Sequence, residues 1–328
     1  MDGIALLRQL RSDFPEPTEE ALALGRAALH ARFAEVTNEV TPKRWPWVMA
    51  AAAAAAVIAA AAVVVPVIWP IATYPAAADV LRGAAEVSAT DVDPSVAPGE
   101  YLVIESTNAV SVTAGKPDGG MVAWLERSDS SVYVPADVGA EWVWERGAGV
   151  PYSFFGPQAE AFASQVPGTP AETTRAAGGR FFGEPPEYPI EFLNKLPHDP
   201  EALLESIYAR GAGAGPSREG QAFTDIIEIL ASGLATTELR TALYEAAALI
   251  PGVFVLDSAT DLDGRPGIAL GRLESVNDLR HEMILDQQSG LFLGHRVVTV
   301  TGNSAADIPA GAVLEWSSVR TRVADAAP

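Results

Sequence analysis

His281 followed by Glu282 opens a zincin-like pattern, in which two histidines one helical turn apart hold zinc and the glutamate between them acts as general base. Here Leu285 occupies the second histidine position, and the surrounding residues alternate like a strand, so no metal site is expected. Asp261-Leu262-Asp263-Gly264 is shaped like the middle of a calcium loop, but Ala259 stands at the first ligand position and Leu270 at the last. It reads as a hairpin turn. Gly211-Ala-Gly-Ala-Gly215 has no strand before it, which a dinucleotide site requires, and reads as a linker. No G-x-S-x-G or S-x-x-K nucleophile motif occurs. The chain has no cysteine, which removes disulfides, thiolate nucleophiles and cysteine-held metals. Glu184 and Glu187 read as solvated loop charges, and His198 as a turn residue before a helix cap. The feature above this background is aromatic. Trp142 and Trp144 share a strand face and Trp124 lies on a neighbouring strand. In a half-open barrel these three could line a cavity for an apolar ligand; the alternative is a packed core between sheet and helices. The expected catalytic set, cofactor and metal are therefore all none.

The elements that must position these residues begin with a strong asymmetry of charge. The 328 residues carry 22 Lys+Arg against 42 Asp+Glu, a net charge of −20, which argues against a nucleic-acid partner. Residues 1–47 hold six basic and seven acidic side chains, net −1, and residues 48–70 hold none. Nearly all the acidic excess follows that gap.

The gap runs from Trp47 to Trp69, 23 residues without a charge. As a helix it would be roughly 34 Å long, against a hydrocarbon core of about 30 Å. Eight Val and Ile residues favour insertion, while eleven alanines add little. Trp45, Trp47 and Trp69 bracket the stretch as an aromatic belt would. A single transmembrane helix within residues 45–70 is the reading. One alternative is a buried helix of a soluble protein, for which 23 residues without a polar stripe is long. The sharper rival is a cleaved leader with Ala76-Ala77-Ala78 as the small-residue site, although that leader would be far longer than usual. Lys43 and Arg44 precede the span and no basic residue follows until Arg82, so the N-terminus is expected in the cytoplasm and the acidic part outside.

Residues 1–44 read as a short cytoplasmic helical tail. Ile4, Leu7, Leu10 and Phe14 fall at helical spacing before Pro15. Thr18 can cap a second helix, on which Leu22, Leu29, Phe33 and Val36 line one face. The readings are a helical hairpin on the inner membrane surface and a small docking module for a cytoplasmic partner. Two helices with so little apolar area should not fold stably alone, which favours the docking module.

Beyond the span, residues 71–98 read as an external helix, Ala76 to Ala89, and a Pro/Asp/Gly linker. Residues 99–326 read as an extracytoplasmic domain. Strand signals cover Tyr101–Thr113, Met121–Val134 and Glu141–Arg146. The Pro/Gly-rich stretch 147–190 reads as a long loop with a short helix near Pro157–Gln165. Asp199-Pro200-Glu201 starts a helix that runs to about Arg210. Phe223, Ile226, Ile227 and Leu230 give a second helix its buried face, and Thr236 starts a third that Pro251-Gly252 stops. Strands follow over Val253–Thr260, Gly267–Glu274, Leu279–Asp286, Leu291–Thr301 and Ala312–Val323. The fold class is α+β, with about eight strands in one antiparallel sheet and helices covering one face.

Several segments carry a resemblance. They are Leu6-Leu7-Arg8-Gln9-Leu10-Arg11 with Pro15-Glu16-Pro17, the alanine-rich span, Gly99-Glu-Tyr-Leu-Val, Leu196-Pro-His-Asp-Pro-Glu-Ala-Leu, Leu239-Arg-Thr-Ala-Leu-Tyr, Ala248-Leu-Ile-Pro-Gly-Val, Asp261-Leu-Asp-Gly-Arg-Pro-Gly-Ile-Ala and Asp286-Gln-Gln-Ser-Gly-Leu-Phe-Leu-Gly. Together they resemble, over essentially the whole chain, a family of actinobacterial single-pass membrane proteins of uncharacterised function. The resemblance implies extracytoplasmic-function sigma factors as genomic neighbours and assigns no catalytic residues. At the level of fold alone, helix-then-sheet order is similar to the half-open barrel of lipoprotein carriers and of periplasmic sensors that bind anti-sigma factors. The expected function is a non-enzymatic, membrane-anchored envelope sensor or regulator. It would hold a sigma factor or similar protein inside and an apolar ligand or envelope protein outside. The alternatives are an anchored lipid or lipoprotein carrier and an extracytoplasmic hydrolase.

Overall fold

The computed structural model describes residues 74–328. The tail residues Leu22, Leu29, Phe33 and Val36 and the span within 45–70 lie outside the described residues. Among the described residues no helix is long and apolar enough to cross a membrane.

The first element is the helix α1 (Tyr74–Ser88), followed by an irregular segment to Gly99. Then come β1 (Tyr101–Gly115), β2 (Met121–Pro135) and β3 (Glu141–Arg146), close to their expected bounds. The stretch expected as a loop holds more order than its composition suggests. It contains β4 (Val150–Phe155), a short helix α2 (Ala159–Ala163), β5 (Glu172–Ala177) and a single 3₁₀ turn at Phe181–Gly183. Both missed strands are short, and Pro151 interrupts the first. β5 lies at a sheet edge and alternates half-buried with exposed residues that are mostly polar, which leaves no apolar signal.

After a short turn α3 (Ile190–Leu193), three helices follow as their caps dictate. In α4 (Pro200–Arg210) the Asp199 carboxylate accepts the Ala202 N–H at 3.0 Å. Ser217 accepts the Gly220 N–H at 2.9 Å at the start of α5 (Arg218–Ala231). Thr236 does the same for Leu239, at 3.3 Å, in α6 (Thr237–Ala248). Leu203 and Ile207, Phe223 and Ile226, and Leu239 and Leu243 are all buried, as helical spacing requires.

The last strands are β6 (Val253–Thr260), β7 (Pro266–Glu274), β8 (Leu279–Leu285), β9 (Phe292–Thr299) and β10 (Val313–Ala324). All ten strands form one antiparallel sheet in the order β5-β3-β2-β1-β10-β9-β8-β7-β6, with β4 pairing β2 beside β3. The fold is antiparallel α+β, and the sheet is open: β5 and β6 are edges and do not meet. The main core lies between helices and sheet, where Phe223, Ile226, Leu243 and Tyr244 meet Ile104, Val134, Leu270, Met283 and Val319. The opposite face is not bare. Ala109, Ala123, Leu125, Phe155 and Trp316 pack there under Leu262 and the turn at Ser304–Ala306.

Candidate functional site

The ladder between β9 and β10 stops early. Val313, Glu315 and Trp316 pair with Val298, Val297 and Arg296, and beyond that point β10 pairs only with β1 while β9 pairs only with β8. The sheet therefore forks between Phe292–His295 and Ser317–Ala324. Backbone polar groups exposed in such a fork need other partners.

Side chains and one loop supply them. At the first missing rung the Ser317 hydroxyl accepts the His295 backbone N–H at 3.0 Å and lies 2.8 Å from His295 Nδ1. His295 Nε2 in turn lies 2.9 Å from Glu315 Oε1. The hairpin between β6 and β7 reaches over to fill the next gap. Leu262 N–H donates to the Ser317 carbonyl at 3.4 Å. The Arg265 guanidinium donates to the Leu293 carbonyl at 3.0 Å and to the Val319 carbonyl at 2.8 Å, bridging the two prongs. Asp261, 0% exposed, fixes that guanidinium by accepting Arg265 Nε at 2.6 Å and the Arg265 N–H at 2.7 Å. Asp263 receives Arg320, with Arg127 at 3.6 Å. The two aspartates of the sequence motif thus hold arginines, and the turn glycine Gly264 takes φ 82°.

A cleft of about 350 Å³ opens on the helix side of the fork. Leu102, Leu230, Leu234, Phe292 and Val319 make it apolar, and Arg240, Arg265 and Arg320 stand around it. Each arginine already has an acidic partner. Arg240 donates to Asp91 at 3.0 Å and to Ser88 at 2.8 Å, while Asp93 at the rim accepts the Thr237 N–H at 2.8 Å. The cleft therefore offers apolar surface and backbone edge rather than uncompensated charge.

Ser317, His295 and Glu315 are the serine–histidine–carboxylate arrangement that sequence reading missed. They come from two strands, and no spacing along the chain announces them. Ser317 is 4% exposed and its hydroxyl is committed to the backbone of β9, so the three act as a rung of the sheet. The hydrogen bond from His295 holds the Glu315 carboxyl below its ordinary range. Nearby His281 is held below its ordinary value by burial. Among the described residues no group of three or more His, Cys, Asp or Glu side chains could hold a metal ion.

The three tryptophans are not brought together. Trp124 is 2% exposed and packs with Val122, Ala163 and Phe162 on α2. Trp142 is 4% exposed, belongs to the main core and donates Nε1–H to the Val138 carbonyl at 2.9 Å. Trp144 meets Phe181 at a tilt of 44° and Phe182 edge-on at 86°, each with ring centroids 5.9 Å away. None of them lines the cleft at the fork.

No protein-family model and no curated protein matches the chain. Among solved structures, the crystal structure of MucB in complex with MucA(peri) aligns at 12% identity over 77% of this chain. This chain spans 57% of that chain, and the TM-score is 0.24, at which the likeness carries no argument.

Proposed function

We propose that the chain is a non-enzymatic envelope sensor or regulator. Its folded domain binds a partner outside the membrane, and its tail docks a cytoplasmic protein such as a sigma factor. One observation carries the external half of this reading: the apolar cleft at the sheet fork, whose surrounding arginines are all neutralised from within. Such a surface suits binding by shape and apolar area, not bond-making chemistry. The uncharged span, the Lys43/Arg44 flank and the apolar stripe of the tail support the anchored, two-sided arrangement. The carrier reading shares the cleft but gives the tail nothing to do. The test is to purify full-length wild type and a Leu29→Asp/Phe33→Asp variant from their native host and identify what comes with them. A cytoplasmic protein retained by wild type and lost by the variant is the expected result. Identical co-purifying proteins would remove the regulator reading and leave the carrier.

A further inference from the structure

We propose that the cleft's occupant is an extended segment of a partner protein, added as a strand to the open edge of β10. This rests on the reading of the cleft as a binding site and names what binds there. The backbone groups of successive residues in an antiparallel strand alternate in direction. The Val319 carbonyl points into the fork, where Arg265 takes it, so the outward groups of Thr321 and Val323 point the same way. Among the described residues no strand pairs with that side of β10 beyond Trp316. Thr321 is exposed and lines the cleft, with Leu102 and Val319 forming the apolar floor.

An unpaired strand edge is satisfied over several residues by another extended backbone. The molecule already uses this fork for such substitution, through Leu262 N–H and the Arg265 guanidinium. A partner strand on β10 would point every second side chain into the cleft, toward Leu230, Leu234 and Phe292. The segment it fits therefore alternates apolar with polar residues. Charge selects against the competing occupant, an anionic lipid: Arg240, Arg265 and Arg320 are each held by an aspartate, leaving no free cation at the cleft for a headgroup.

The experiment uses the full-length chain in lipid nanodiscs and three capped nonapeptides in which Thr alternates with Val, Leu or Phe. Binding is read by fluorescence anisotropy, and amide hydrogen exchange is read at Thr321 and Val323. At least one peptide should bind and slow both amides. N-methylating that peptide at alternate residues should weaken binding by about tenfold or more, because two backbone hydrogen bonds are lost. Thr321→Pro should do the same. It removes an outward N–H and leaves the pairing with β1, and the N-methylated peptides keep the test sound if that variant folds poorly.

Binding that ignores both changes would overturn strand addition while leaving the cleft reading in place. So would failure of every peptide when anilinonaphthalene sulfonate still binds wild type and not Leu234→Asp. Amides at Thr321 and Val323 already slow without peptide would show that this chain's own segment covers the edge, which also overturns the proposal. Failure of peptides and dye alike would remove the cleft reading itself.

Discussion

Arg265 carries more of the fork than any other side chain. It pairs with the buried Asp261 and caps two backbone carbonyls on separate strands. Replacing it with Ala would leave the buried Asp261 carboxylate with only the residue-265 backbone N–H for a partner. Because Arg265 is itself about a third exposed, the loss should fall at or below the lower end of the about 3–5 kcal/mol that breaking a buried pair costs. Urea unfolding of Arg265→Ala should show a loss of that size, with part of it recovered by Asp261→Asn in the same chain. A loss within ~0.5 kcal/mol would mean that the fork is held by something else. His281 gives a pH handle at the same scale. Burial lowers its pKa from 6.5, so the folded state prefers the neutral ring. That contribution is fully present above about pH 6.5 and is lost as pH falls through the folded value. Glu315 on β10, His295 on β9 and Arg272 on β7 bear on it with mixed sign, and burial outweighs them. Wild type should therefore lose stability relative to His281→Phe on acidification from pH 7 to 5, while Asp225 and Glu228, whose carboxyls burial pushes up, act in the opposite sense in both proteins. Equal slopes in both proteins would contradict the assignment.

At the scale of elements, Gly179 shows how a turn seats a core ring. It follows β5 at φ 69°, and a Cβ there would lie 2.7 Å from the Trp142 ring. Gly179→Ala should cost about 1–3 kcal/mol through backbone strain and displacement of that ring. Tryptophan fluorescence during urea unfolding would measure it, and an unchanged midpoint would count against this packing. α1 is joined as firmly. Leu81 is fully buried in the main core, so Leu81→Ala should destabilise by about 2–5 kcal/mol. A neutral result would mean that α1 is only loosely attached. What the sequence discloses follows from locality. Asp199, Thr236 and the Pro251-Gly252 stop announce their helix boundaries because capping acts within three residues. The strands β1 to β3 are read from their own β-branched and aromatic composition. β4 and β5 exist only through pairing with β2 and β3, so nothing local marks them. The fork is the extreme case. Arg265 meets partners 28 and 54 residues away, and Trp142 and Trp124 lie in separate packed clusters while Trp144 meets Phe181 and Phe182.

At the scale of the whole molecule, the proposed reading joins the acidic domain, the uncharged span and the tail: binding outside would change what is held inside. The topology comes first. A reporter active only in the cytoplasm should work when fused before Met1 and fail when fused after Pro328. The reverse would contradict the orientation read from Lys43 and Arg44. The coupling itself is tested most directly by comparing transcripts in the native host. The strains would carry wild type, the cleft variant Leu234→Asp, or the tail variant Leu29→Asp/Phe33→Asp, with membrane levels of the chain matched. On the proposed reading both variants should shift one shared set of genes, because each would break the same path at one end. Transcripts unchanged in both strains, or altered in two unrelated sets, would contradict it.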